Sequence, residues 1–162
     1  MAYQITETHI GYQPIAETST TAKHPLGTIV RAKDPTYGGG EFIYLKGIAS
    51  TTVGALVTYN VGFLTALGTT AVGVSNPFAV AMSANVASQY GWYQIGGLAI
   101  GSTAGTVSFA ATAPFAVASG EMIAATTTNR LAGAVVAVAN PSTTTLLTVQ
   151  IMIDRPAGPS SD

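Results

Sequence analysis

The chain has no cysteine among its 162 residues, which excludes a disulfide framework and thiolate metal sites. It is also short of charge. Asp, Glu, Lys and Arg together make up 8% of it, against roughly 25% in an average soluble domain. A formal net charge of −1 gives no general field for nucleic acid or acidic lipid, so neither nucleic acid nor membrane is expected as a partner. Long apolar runs are missing too: a spanning helix needs roughly 20 mostly apolar residues, and the longest such stretch, near Leu131 to Ala139, is far shorter. The N-terminus, Met-Ala-Tyr-Gln-Ile-Thr-Glu, has no basic region followed by an apolar one, so the chain is expected to be made in the cytosol. The aromatic girdles of an outer-membrane barrel are absent as well.

Catalytic patterns are equally scarce. Of seven carboxylates, Glu7, Glu17, Asp34, Asp154 and Asp162 lie in or near the terminal segments and the first loop, and no pair is spaced for acid–base work on one local face. His9 and His24 stand alone near the N-terminus, without the spacing of a metal site. No Gly-x-Ser-x-Gly elbow occurs, and Gly38-Gly39-Gly40 is not followed by the Lys-Ser/Thr of a phosphate loop. The sequence therefore predicts neither an enzyme nor a cofactor.

What is present is apolar and β-prone. Hydrophobic residues make up 48% of the chain, much of it Ala and Val, and Gly47 to Ser119 runs without a charged side chain. Such a surface can be a Thr- and Ser-rich soluble one or one buried in an assembly; the shortage of dispersing charge favours assembly. In the middle lies Ser-Gln-Tyr-Gly-Trp-Tyr-Gln-Ile-Gly-Gly-Leu-Ala-Ile-Gly, Ser88 to Gly101, with the single tryptophan, Trp92. Strand alternation puts Trp92 and Gln94 on one face and Tyr93 and Ile95 on the other, so this strand should be central and covered on both sides.

Around it the chain divides into three. Residues 1–27 mix polar residues with Tyr3, Ile5, Ile10, Tyr12 and Ile15 and show no helical period, which predicts an extended N-terminal arm. Those five side chains, with His9, are the candidate partner-binding residues, whether the partner is another protein or a neighbouring copy. Deleting the arm through Lys23 is expected to leave a folded body. Residues 28–155 form that body. It opens with a hairpin of Thr28 to Lys33 and Glu41 to Ala49 around the Asp34 to Gly40 turn. Residues 156–162 are expected to be a loose tail. Within the body, Val72-Gly-Val-Ser-Asn-Pro77 reappears as Val136-Ala-Val-Ala-Asn-Pro141, with Gly54 to Val57 matching Gly120 to Ile123 and Tyr93 to Ile95 matching Val149 to Ile151. The fold class expected is all-β, a barrel or jelly-roll-like sandwich built from two related β units.

One series of motifs carries a resemblance. Gly-Ala-Leu-Val-Thr-Tyr (Gly54 to Tyr59), Ala-Val-Gly-Val-Ser (Ala71 to Ser75), Gln-Tyr-Gly-Trp-Tyr-Gln-Ile-Gly-Gly (Gln89 to Gly97) and Ala-Ser-Gly-Glu-Met-Ile (Ala118 to Ile123) resemble the small capsid decoration, or cement, proteins of tailed bacteriophages. The similarity spans roughly residues 54–153. It implies a virion protein on the outer capsid surface, made in the host cytoplasm, that binds the major capsid protein and stabilises the head by bridging its subunits. It also implies self-association, as a homotrimer or a dimer. A tail-associated or receptor-binding β module of a phage particle is the alternative.

Overall fold

The computed structural model describes residues 4–6, 11–71, 76–105, 107–140 and 148–159. They form twelve strands: β1 (Gln4–Ile5), β2 (Thr18–Ser19), β3 (Ile29–Asp34), β4 (Gly38–Lys46), β5 (Leu56–Tyr59), β6 (Thr65–Leu67), β7 (Phe78–Ala81), β8 (Tyr90–Ser102), β9 (Phe115–Ala118), β10 (Glu121–Ala124), β11 (Leu131–Val136) and β12 (Thr148–Pro159). No helix occurs among the described residues. Ten strands make one antiparallel sheet, and β9 and β10 make a separate hairpin.

The large sheet is organised on β8, the aromatic strand of the sequence. β4 pairs with it from Tyr90 to Gly97. A residue offers only one partner per edge, so β2, β7 and β12 take the opposite edge in succession, at Tyr90–Gly91, Tyr93–Gln94 and Gly96–Ser102. β11 extends the sheet beyond β12, and β3 and β1 extend it beyond β4. On the other arm, β7, β5 and β6 follow one another until the chain returns to β4. There Lys46 bridges Leu64, the Lys46 N–H donates to Phe63 O and Thr65 Oγ1 donates to Lys46 O.

Both faces of β8 are filled, as its alternation requires. Trp92 packs with Ile15, Val30, Ala32, Phe42, Tyr44 and Met82 on one face. Tyr93 and Ile95 pack with Ile43, Leu45, Ala55, Val57, Ala79 and Ala81 on the other. A third cluster spans the C-terminal half of β8, β12, β11, β7, β5 and the β9–β10 hairpin, with Ala99, Ile151, Val136, Phe78, Leu56, Phe115 and Met122 at its centre. Gln94, between these clusters, is fully buried; its Nε2 donates to the carbonyls of Gly96 and Leu98, 3.1 Å from each.

β8 cannot be straight. At roughly 3.3 Å per residue a flat strand would set Ser102 roughly 30 Å from Tyr93. Yet Gly54 reaches both halves: its N–H donates to the carbonyl of Ala81, which pairs with Tyr93, and its carbonyl accepts from Ser102 N. The bend falls at Gly96–Gly97, where the register against β4 slips between Glu41 and Phe42 and leaves Ile95 as an extra residue. Gly97 has φ +98°, and a Cβ there would run into the Gly39 carbonyl oxygen. Glycine serves here because a side chain would be strained in both conformation and space.

The turns follow local chemistry. Between β3 and β4, Asp34 Oδ1 accepts the N–H groups of Thr36 and Tyr37 at 2.7 and 3.0 Å, and Gly38 closes the turn at positive φ. Between β9 and β10, Ser119 and Gly120 both have positive φ, as a two-residue type I′ hairpin needs.

Three sequence expectations meet a different arrangement. Residues 156–159 are not a loose tail but the end of β12, with Ala157 pairing Ala132 and the Gly158 N–H donating to Asn76 O. Of the repeat, Tyr93 to Ile95 lie in β8 and Val149 to Ile151 in β12; the two strands pair, but Val149 to Ile151 face Ala99 to Gly101 and not the residues they match in sequence. The middles of the repeat differ, because β7 lies between Asn76-Pro77 and β8, whereas β11 precedes Asn140; Val72 to Ser75 and Pro141 lie outside the described residues. Residues 11–27 do not stand away from the body as an arm, since Ile15 is 3% exposed within the Trp92 cluster and β2 pairs with β8.

Gly97→Ala should lower stability by about 2–3 kcal/mol, from positive φ and the collision with the Gly39 carbonyl. A urea titration checks this: the midpoint should drop while the slope holds.

Candidate functional site

The candidate partner-binding residues of the sequence divide in the structure. Tyr3, His9 and Ile10 lie outside the described residues. Ile5 sits in β1, opposite Ala32, and is half-buried against the Trp92 cluster together with Tyr12. Ile15 is core. The expectation that Tyr12 and Ile15 wait for a partner is therefore corrected: their partner is Trp92's own face of the sheet. Removal of the chain through Lys23 would take away part of a core, not a free arm.

The residue that fixes this segment is Gln13, which is itself buried. Its N–H donates to His24 Nε2 at 3.0 Å, and its carbonyl accepts from Trp92 Nε1 at 2.8 Å. Its side-chain Oε1 accepts from the Tyr44 hydroxyl at 3.0 Å, and its Nε2 donates to the Glu17 carbonyl at 2.6 Å. The rings of Tyr12, His24, Tyr44 and Trp92 close around it, with centroids 5.0–6.1 Å apart. His24 has no role legible in the sequence, because nothing in its spacing announces a backbone N–H as its partner.

Burial holds the His24 imidazole below its usual range, and the neighbouring Lys23 charge adds to the effect. In the fold Nε2 accepts from Gln13, so protonation there would set two donors against each other.

A second feature is an open groove of about 700 Å³. Thr6, Arg31, Lys33, Glu41, Asp154 and Arg155 line it, over a floor that includes Gly39, Gly40, Gly96 and Gly97. Glu41 and Asp154 flank Gly96 from β4 and β12. Glu41 is held by Arg155 at 3.0 Å and Arg31 at 3.1 Å, and the Arg155 hydrogen bond, followed by that of Arg31, keeps its carboxyl below the ordinary range against a counteracting burial effect. A carboxylate held ionised pairs cations; it does not donate a proton. Arg155 was missed from sequence because only the β8–β12 pairing brings it to the β3–β4 hairpin. Among the described residues no group of three or more His, Cys, Asp or Glu side chains is placed to hold a metal ion.

The third feature is apolar. Thr51 bridges Asn85, and the Asn85 N–H donates to Thr51 O at 3.1 Å, which ties the loop after β4 to the loop before β8. This joined edge displays Ile48, Val53 and Val86, the last 61% exposed, while Leu64 is exposed beside Lys46 and Val61 is 99% exposed on the β5–β6 turn. All five belong to the charge-free stretch from Gly47 to Ser119. On the other side of the sheet end, Val135 and Met152 face each other across β11 and β12 and are both exposed.

No family model matches the chain, and no curated protein matches it significantly.

Gln13→Ala should cost about 2 kcal/mol, because the Tyr44 hydroxyl and the Glu17 carbonyl lose their buried partner. Denaturation followed by Trp92 fluorescence reads the loss at the site itself. The His24 effect has a defined sign. An imidazole harder to protonate folded than unfolded leaves the unfolded chain binding more protons, so stability is complete above the unfolded value of 6.5 and declines as pH falls below it. The Glu41 contribution is lost only below its own ordinary value of 4.5. Urea midpoints should therefore fall between pH 7.5 and pH 5.5 in the natural chain, and His24→Gln should flatten that slope.

Proposed function

We propose that this chain is a capsid decoration protein of a tailed bacteriophage, which binds the outer surface of the head and stabilises it by bridging major capsid protein subunits. The observation that carries the reading is the set of exposed apolar side chains, Ile48, Val53, Val61, Leu64 and Val86, on a surface almost without charge. Single exposed apolar residues are ordinary, but five within one uncharged stretch leave little to keep free copies apart. Contact area is what such a protein contributes: a standard stable interface buries roughly 1,200–2,000 Å², repeated over every copy on the shell. The motif resemblance supports the same reading, and it implies self-association, as a homotrimer or a dimer, of a barrel or jelly-roll-like body. The contact surface moves, in this proposal, from the N-terminal segment to the loops that carry Ile48, Val53 and Val86.

Mass spectrometry of gradient-purified particles from the source of the gene tests the function. A copy number comparable to that of the major capsid protein is expected; a few copies per particle would point to the tail-associated alternative, and absence would overturn both. Light scattering should give about three times 16.4 kDa for the free chain if it is a trimer. Val53→Lys with Val86→Lys should leave the melting temperature within about 2 °C, because both side chains are already in solvent, while particle occupancy falls at least about tenfold. Unchanged occupancy would rule out this surface.

A further inference from the structure

Three oxygen atoms converge in front of Gly91, a buried residue near the start of β8. A Cβ placed on it would lie 3.4 Å from Ser83 Oγ, 3.5 Å from Asn85 Oδ1 and 3.6 Å from the Glu17 carbonyl oxygen, with no nearer atom outside the adjoining residues. Ser83 and Asn85 are 6% and 3% exposed, and Ser83 Oγ and Asn85 Oδ1 have no hydrogen-bond partner among the described residues. The other end of Asn85 meets the Tyr93 hydroxyl, with Nδ2 as the donor. Two orphan oxygens on one spot are unusual, since buried polar groups are nearly always paired.

The chemistry of the set selects its occupant. It holds no carboxylate, so a divalent cation would find three neutral oxygens and no compensating charge. A water molecule has the complementary hydrogens: two O–H donors for Asn85 Oδ1 and the Glu17 carbonyl, and a lone pair for the Ser83 hydroxyl proton. The Glu17 carbonyl already accepts from Gln13 Nε2 and has a second lone pair to offer. Three bonds, two of them to oxygens otherwise unpaired, is the usual coordination of a buried water.

We propose that this position binds one ordered, buried water molecule, and that the water joins the N-terminal segment to the body. Glu17 belongs to the segment that Gln13 holds, Ser83 and Asn85 to the loop between β7 and β8, and Gly91 to β8 itself. Residue 91 is glycine because a methyl group would fill the space the water needs. The direct bonds of Gln13 and the bridged bonds at Gly91 thus clamp the same segment at two points.

The sign of one substitution tests this. Gly91 does not have positive φ, and a methyl there would make only ordinary contacts, so Gly91→Ala in a dry site would leave the melting temperature unchanged or raise it slightly by stiffening the unfolded chain. If the site holds water, the methyl evicts it and orphans its partners, and the melting temperature should fall by about 5 °C. A crystal structure of the unaltered chain at about 1.5 Å gives the second reading. A solvent peak about 2.7–3.1 Å from all three oxygens is expected. An empty site, a peak at cation distances of about 2.3–2.5 Å, or an unchanged or raised melting temperature in Gly91→Ala would each overturn the proposal.

Discussion

A strand with large rings on both faces must be enclosed by the rest of the chain, and β8 imposes that requirement on everything around it. Trp92 demands a cover on one side and Tyr93 on the other, and both are fully buried. β4 alone cannot supply two covers. The chain answers by bending β8 at Gly96–Gly97, so that its first half serves the Trp92 and Tyr93 clusters and its second half walls the cluster around Phe115 and Met122. The glycines at the bend are consequently as structural as the tryptophan: a straight β8 would pull Ser102 away from Gly54 and open the third cluster to solvent.

The cover over Trp92 comes from the N-terminal segment, and here a single residue, through its backbone and its side-chain amide, does much of the fastening. Gln13 meets the indole, a hydroxyl, an imidazole and a carbonyl from four different residues. A buried amide satisfied at every atom specifies one arrangement, because any shift of the segment breaks several bonds together. The protonation state of His24 belongs to that arrangement, since its lone pair accepts the Gln13 N–H. This explains why polar residues and scattered apolar ones, which look like an arm when read along the chain, are held against the sheet.

The sequence read well wherever information is local. Alternation in Trp92 to Ile95 assigned the two faces correctly, the hairpin after Thr28 formed around Asp34, and the all-β class follows from the same periodicity. It read poorly wherever the information is a pairing between distant segments. Arg155 meets Glu41 across 114 positions and Trp92 meets Gln13 across 79, and neither contact leaves a periodic trace. The end of β12 was misjudged for the same reason: Pro156 to Pro159 looks like a tail until Ala132 and Asn76 supply its hydrogen bonds. Tyr12 and Ile15 read as arm residues along the chain because their core lies on β4 and β8, remote in sequence.

Placing Ile15 inside the chain's own core changes what an assembly can use. Five of the chain's thirteen Asp, Glu, Lys and Arg side chains, Arg31, Lys33, Glu41, Asp154 and Arg155, gather in one groove, and none of the thirteen falls between Gly47 and Ser119. Two surfaces of opposite character result. In the groove, ion pairs between exposed groups contribute little and weaken with salt. On the loops that carry Ile48, Val53 and Val86, desolvation of apolar area would supply the attraction at about 25 cal/mol per Å², largely independent of salt. Association through the apolar loops would therefore persist at high ionic strength, whereas association through the groove would dissolve, so the salt dependence of self-association or particle binding distinguishes which surface carries the contact.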